Sequence, residues 1–121
     1  MKHSRSFKHD VKIGEAAEDW VNELFNGNST KIEVKVDYIA HKTGNVFIEY
    51  SSRGQPSGIA TTDAKYWIYR IEAIDCSLML GVDQLKKKLR GYYREGLYIQ
   101  KGGDNDTSIG FLVPIQELLR V

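Results

Sequence analysis

The sequence predicts a single α/β (α+β) domain in which a mixed central sheet is flanked by helices. Three observations predict it. Strand-like runs with a period of two alternate along the chain with runs whose apolar residues recur at helical spacing. A length of 121 residues suffices for one modest core but not for two. The balance of 41% hydrophobic and 27% charged residues is that of an ordinary globular protein.

Residues 1–12, within "MKHSRSFKHDVKI", form a basic N-terminal arm of this domain, which spans 1–121. The arm lacks the apolar segment of a signal peptide. No apolar run approaches the ~20 residues of a membrane span, so no membrane partner is expected. With 17 Lys+Arg against 16 Asp+Glu, a global polyanion-binding surface is excluded, and any nucleic-acid surface must be a local patch. The lone Cys76 rules out an intramolecular disulfide framework and a multi-cysteine zinc site. A single thiol suits a reducing, cytoplasmic setting.

The elements follow in order. Residues 14–25 place Ala17, Trp20, Val21, Leu24 and Phe25 on one helical face, closed by Asn26-Gly27. Residues 31–54 read as a β-hairpin. The stretch "SSRGQPSGIATT" reads as a loop, with Thr61 or Thr62 capping a short helical turn. "YWIYRIEAI" is aromatic and β-branched and predicts the third strand. Residues 75–89 and 106–119 each read as a short apolar strand running into an amphipathic helix. Between them, residues 97–100 predict one more strand and residues 101–107 a loop. That loop, "KGGDNDTS", lacks the spacing and terminal glutamate of a calcium-binding EF-hand.

The hairpin register follows from its turn. Three-residue loops favour a type I turn followed by a left-handed residue, and Gly44 suits that last position. With Lys42-Thr43-Gly44 as the loop, His41 faces Asn45. One face then carries Ile32, Val34, Val36, Tyr38 and Ala40 against Val46, Ile48, Tyr50 and Ser52, an apolar surface that must pack on the core. The other face pairs Glu33 with Arg53, Lys35 with Ser51, and Asp37 with Glu49. Like charges placed opposite each other destabilise a sheet. Two carboxylates held together raise one pKa or share a cation, and a hard ion such as Mg²⁺ binds through one or two carboxylates with waters and phosphate oxygens. The helix acids Glu15, Glu18, Asp19 and Glu23 lie off the apolar stripe, where one of them can reach the same ion.

In this order, "GEAAEDW", "KIEVKVDYIA" and "VFIEYSS" resemble nucleases of the PD-(D/E)xK superfamily, especially small phage endonuclease-like and junction-resolvase-like members. The downstream "SSRGQPSGIATTDAKYWIYRI" is similar to the segment that follows in phage relatives, and the resemblance covers residues 14–74. It implies a restriction-endonuclease-like α-β-β-β-α-β core and a Mg²⁺- or Mn²⁺-dependent endonuclease acting on DNA, with branched or structured DNA as a candidate substrate. It implies Asp37 and Glu49 as metal ligands, the Tyr50 carbonyl as a third oxygen, and Glu18, a few positions after Gly14, as the helix glutamate, with Glu15 as the alternative. A homodimer is expected by analogy, because two strands need two sites.

One position departs from the pattern: Ser51 stands where the superfamily has its lysine. The hairpin register offers Lys35 as a replacement, and Arg53, Gln55 and Lys65 are further candidates. Arg53, Gln55, Ser57, Lys65, Lys87 and Arg90 are the expected nucleic-acid contacts, with Lys86, Lys88, Tyr92 and Tyr93 beside them on a helix and the basic arm in support. His41 reads as a turn residue, and Trp67 and Tyr69 as packing. The alternative is a catalytically impaired protein of the nuclease fold that binds nucleic acid or serves as a structural subunit.

Overall fold

The computed structural model describes residues 31–120. The first predicted helix, with Glu15 and Glu18, and the basic arm lie outside these residues. Within them the chain is a mixed α/β structure with two sheets. Strands β1 (Ile32–Asp37), β4 (Tyr66–Ile71) and β5 (Cys76–Gly81) form one, in the order β1-β4-β5. Strands β2 (Asn45–Ser52), β3 (Gln55–Pro56), β6 (Ile99–Gly102) and β7 (Ser108–Pro114) form the other, in the order β3-β2-β7-β6. Helices α1 (Ala40–Thr43), α2 (Val82–Glu95) and α3 (Ile115–Leu118) connect or follow the strands, and no helix among the described residues is long and apolar enough to cross a membrane.

The predicted hairpin does not form. β1 runs parallel to β4, with Lys35 beside Tyr69 and Asp37 beside Ile71, whereas β2 runs antiparallel to β7, with Glu49 opposite Gly110. The facing pairs Asp37–Glu49, Lys35–Ser51 and Glu33–Arg53 are therefore absent. The cause is local. The Asp37 carboxylate oxygen Oδ1 accepts the backbone N–H groups of Ile39 at 2.9 Å and Ala40 at 2.7 Å, which folds the chain into α1 instead of a tight turn. Gly44 takes the expected left-handed conformation (φ 73°), but as the residue ending α1. The chain then enters the second sheet.

The central strand β4 explains why β1 prefers this partner. Trp67, Ile68, Tyr69 and Ile71 are all buried, so the strand needs neighbours on both edges and cover on both faces. β1 supplies one edge and β5 the other, with Ile68 beside both Val34 and Met79. This parallel register places Glu33, Lys35 and Asp37 on the face of Trp67, Tyr69 and Ile71. Val34 and Val36 share the opposite face with Ile68 and Arg70 and are only half-buried. In the second sheet the expected inward face does hold: Val46 and Ile48 are fully buried, and Tyr50 packs beside them.

A common core joins Val46, Ile48, Phe111 and Val113 of the second sheet to Trp67, Tyr69 and Ile71 of the first. Val82, Leu85 and Leu89 of α2 close it, three positions on one helical stripe. The helix ends where Gly96 (φ 68°) turns left-handed and the Leu97 N–H reaches back to the Tyr92 carbonyl at 2.8 Å, a Schellman-type stop.

The segment read as an open loop is tighter than expected. Arg53 (φ 52°) and Gly54 (φ 80°) make the two-residue turn of a short β2–β3 hairpin, both with the positive φ that a type I′ turn requires. The helical turn that follows covers Gly58–Ala60 and precedes Thr61 and Thr62. Neither threonine caps its start. Thr61 donates back to the Gly58 carbonyl, and Thr62 accepts the Ala64 N–H.

Candidate functional site

Glu49 lies at a break in the β2–β7 ladder. The register slips by one between Glu49 and Ser51, a bulge opposite Gly110 that leaves Tyr50 without a ladder partner on β7. The gap at Gly110 is needed: a Cβ there would lie 2.5 Å from the Ile48 carbonyl and 2.8 Å from the Phe47 ring. Past the bulge, the β2–β3 hairpin brings Ser57 and Gly58 back over the strand. Ser57 Oγ donates to Glu49 Oε2 at 2.9 Å, and its N–H donates to the Tyr50 carbonyl at 3.0 Å. Gly58 (φ 54°) sits so close that a Cβ would be 2.3 Å from the Glu49 carbonyl oxygen. Thus Glu49, Tyr50 and Ser57 form one unit, held by a residue that only glycine can be.

Asp37 ends β1 on the face shared with Lys35. Its Oδ1 is taken by the two amides of α1, and Oδ2 makes no hydrogen bond among the described residues. Lys35 Nζ lies 5.6 Å from the centre of the Trp67 ring and 4.0 Å from the Glu33 carboxylate. The buried Trp67 Nε1 has no hydrogen-bond partner among the described residues. Next along the same face, Tyr69 crosses from the first sheet to the second and donates its hydroxyl to the Phe47 carbonyl at 3.0 Å. Burial pushes the Tyr69 phenol well above its ordinary pKa, and the Asp37 charge adds to the rise. Tyr69 therefore feels Asp37 on one side and grips β2 two residues before Glu49 on the other.

The remaining predicted contacts are spread around this centre. Arg53 and Gln55 are exposed at the β2–β3 hairpin tip, where the Arg53 N–H bonds the Thr107 carbonyl at 2.8 Å. Arg53 is not paired with Glu33, whose cation neighbour is Lys35. Lys65, at the entry to β4, lies 5.8 Å from the centre of the Tyr66 ring. Lys87 and Arg90 are exposed on α2, and neither has an acidic partner among the described residues. Lys88 is not part of a free basic row: its ammonium donates to the carbonyls of Glu117 and Arg120 and so ties down the end of α3. Ser51, at the motif-lysine position, pairs with Pro56 and Ile109.

Tyr69 and Gly58 were not singled out as site residues by sequence. The signal for Gly58 lay in "PSGI", where a glycine directly follows the serine that bonds Glu49. For Tyr69 no sequence signal separates a bridging phenol from a packing one.

Glu49 Oε1, Asp37 Oδ2 and the Tyr50 carbonyl oxygen are acceptors of the hard type, and each of the three groups is held by a hydrogen bond. Among the described residues, no three His, Cys, Asp or Glu side chains gather into a metal-binding group. Comparison with protein-family models, curated proteins and solved structures returns no match for this chain.

Proposed function

We propose that this chain is a metal-dependent DNA endonuclease carried on the mixed α/β fold of two sheets. The observation that carries the proposal is the braced carboxylate Glu49, held by Ser57 next to the Tyr50 carbonyl and joined through Tyr69 to the face of β1 that bears Asp37 and Lys35. Asp37, Glu49 and the Tyr50 carbonyl would hold Mg²⁺ or Mn²⁺, with Glu18 as a further ligand. The ion would supply Lewis acidity at the phosphate and a lowered pKa for the attacking water. Ser57 fixes the rotamer of Glu49, and the amides of Ile39 and Ala40 fix that of Asp37. Lys35, two residues before Asp37 on the same face, would be the cation that steadies charge on the phosphate. Its link to the site is now along β1 and not across a hairpin to Ser51. Arg53, Gln55, Ser57, Lys65, Lys87 and Arg90 are the proposed DNA contacts, and a homodimer would present two sites to two strands.

The test is cleavage of supercoiled, single-stranded and branched DNA by the full chain in Mg²⁺ or Mn²⁺. The parent is expected to cut, while Asp37→Asn and Glu49→Gln bind DNA in Ca²⁺ without cutting. Cleavage that persists in both purified variants would place the chemistry elsewhere. A second reading, a nuclease-fold protein that binds DNA without hydrolysing it, is favoured by one observation: Ser51 stands at the motif-lysine position, and its ladder partners among the described residues, Pro56 and Ile109, carry no charge. DNA binding in Ca²⁺ with no cleavage by the parent in either metal would establish that reading.

A further inference from the structure

Between the Gly58–Ala60 turn and α2 lies a groove of about 340 Å³, floored by Ile59, Leu89 and Phe111 and rimmed by Lys86, Arg90 and Tyr93. Its volume falls in the range of small-ligand sites. Lys86 and Arg90 stand one helical turn apart on the same side of α2, and neither has an acidic partner among the described residues. Tyr93 is 60% exposed, and one edge of its ring is set by a T-shaped contact with Tyr50 at 6.0 Å, which in turn packs on Phe111 at 5.1 Å. An exposed aromatic ring, an apolar floor and two unpaired cations make complementary contacts to one kind of occupant. It has a flat π-face, a hydrophobic edge and a negative charge a few ångströms away. That is the composition of a nucleotide whose base is not paired.

We propose that this groove takes an unpaired nucleotide of a DNA strand, resting on the nuclease reading above for the identity of the nucleic acid. The base lies against Tyr93 over the Ile59–Phe111 floor, and Lys86 and Arg90 hold its flanking phosphates. The groove shares the Gly58 turn with Glu49, so a base seated here would index the strand relative to the braced carboxylate. A base in a duplex is stacked and paired, and cannot enter without first being extruded. The substrate class that fits is therefore single-stranded DNA, or the unpaired nucleotides of a nick, flap or branch.

The experiment measures binding of the full chain without divalent metal, so that it needs none of the proposed metal ligands. Fluorescence anisotropy compares a single strand with a duplex of the same length and sequence, and a 2-aminopurine in the strand reports stacking by quenching. The single strand is expected to bind at least tenfold more tightly and to be quenched. Tyr93→Ala should lose roughly tenfold in affinity together with the quenching, and Tyr93→Phe should keep both. Arg90→Glu, a substitution at an exposed position, should weaken single-strand binding with a folded circular dichroism spectrum. Equal affinity for strand and duplex, or unchanged binding and quenching in Tyr93→Ala, would overturn the proposal, and metal-dependent cleavage lost in Glu49→Gln would then leave the nuclease reading standing. Conversely, Tyr93-dependent strand preference in a protein that cuts nothing supports the groove and sinks the nuclease reading.

Discussion

Tyr69 ties one sheet to the other by a side-chain hydrogen bond, and its chemistry gives the molecule an alkaline limit. Its phenol is buried and donates to the Phe47 carbonyl, a bond that the phenolate cannot make. Because its folded pKa lies above the ordinary value of about 10, the contribution is complete below that pH and is lost as pH rises through the folded value. Urea unfolding at pH 8 and above pH 10 should show the parent losing stability at the higher pH. Tyr69→Phe should start lower by about 1 kcal/mol, for the lost hydrogen bond, and should lose less on the same pH step. The two acids were legible in the sequence as residue types on strands. The local role of Asp37 was also written there, since aspartate followed by two free amides commonly makes an Asx turn. The alternating pattern on either side of it pointed instead to a hairpin, and the turn chemistry won.

At the scale of elements, runs with their own period were readable and partners were not. The third strand and the strand-to-helix passages at β5–α2 and β7–α3 appear close to where their patterns place them, whereas the strand predicted at 97–100 runs Ile99–Gly102 and takes in the first two residues of the predicted loop. A period of two says which residues share a face, not which strand lies alongside. The alternation of β1 serves a parallel neighbour as well as an antiparallel one. Likewise the bulge at Glu49–Tyr50 depends on Gly110, some sixty residues away, and nothing local to β2 announces it. The turn at Gly58 yields a prediction at this scale. Gly58→Ala meets both a left-handed backbone and the Glu49 carbonyl. It should cost roughly 1–3 kcal/mol in urea unfolding and reduce metal-dependent cleavage. Ser57→Ala removes only the bond to Glu49. It should reduce cleavage while changing stability by about 1 kcal/mol or less. A Gly58→Ala protein as stable and active as the parent would show that the turn does not brace Glu49.

Across the whole molecule the near-zero net charge conceals a local imbalance. Lys86, Lys87 and Arg90 lie together on one side of the fold without acidic partners among the described residues, while Lys31, Arg70 and Arg120 are paired with Asp63, Asp75 and Glu117. If the proposed function holds, binding to DNA should therefore weaken with salt despite the balanced composition. In Lys87→Ala the slope of log affinity against log salt should fall by about 0.7 for a single strand, one phosphate's worth. An unchanged slope would remove Lys87 from the contact surface. The helix and its cations could be anticipated from the sequence, whereas the diversion of Lys88 into holding α3 depends on a contact between distant segments.

The two sheets also differ in when they can be completed as the chain is made. β1, β4 and β5 have all been synthesised once Gly81 has emerged from the ribosome, so the first sheet can close early. β2 precedes β4 in the sequence but must wait for β7, beginning at Ser108, before its long edge is paired. During that interval the backbone edge of β2 beside Val46 and Ile48, which end fully buried, has no β7 to pair with, and the nascent chain carries an apolar strand edge open to mispairing or to a chaperone. The sheet that carries Glu49 is the last that can be completed, so in a chain stalled partway through synthesis Ser57 could still reach Glu49, but the bulge opposite Gly110 could not form.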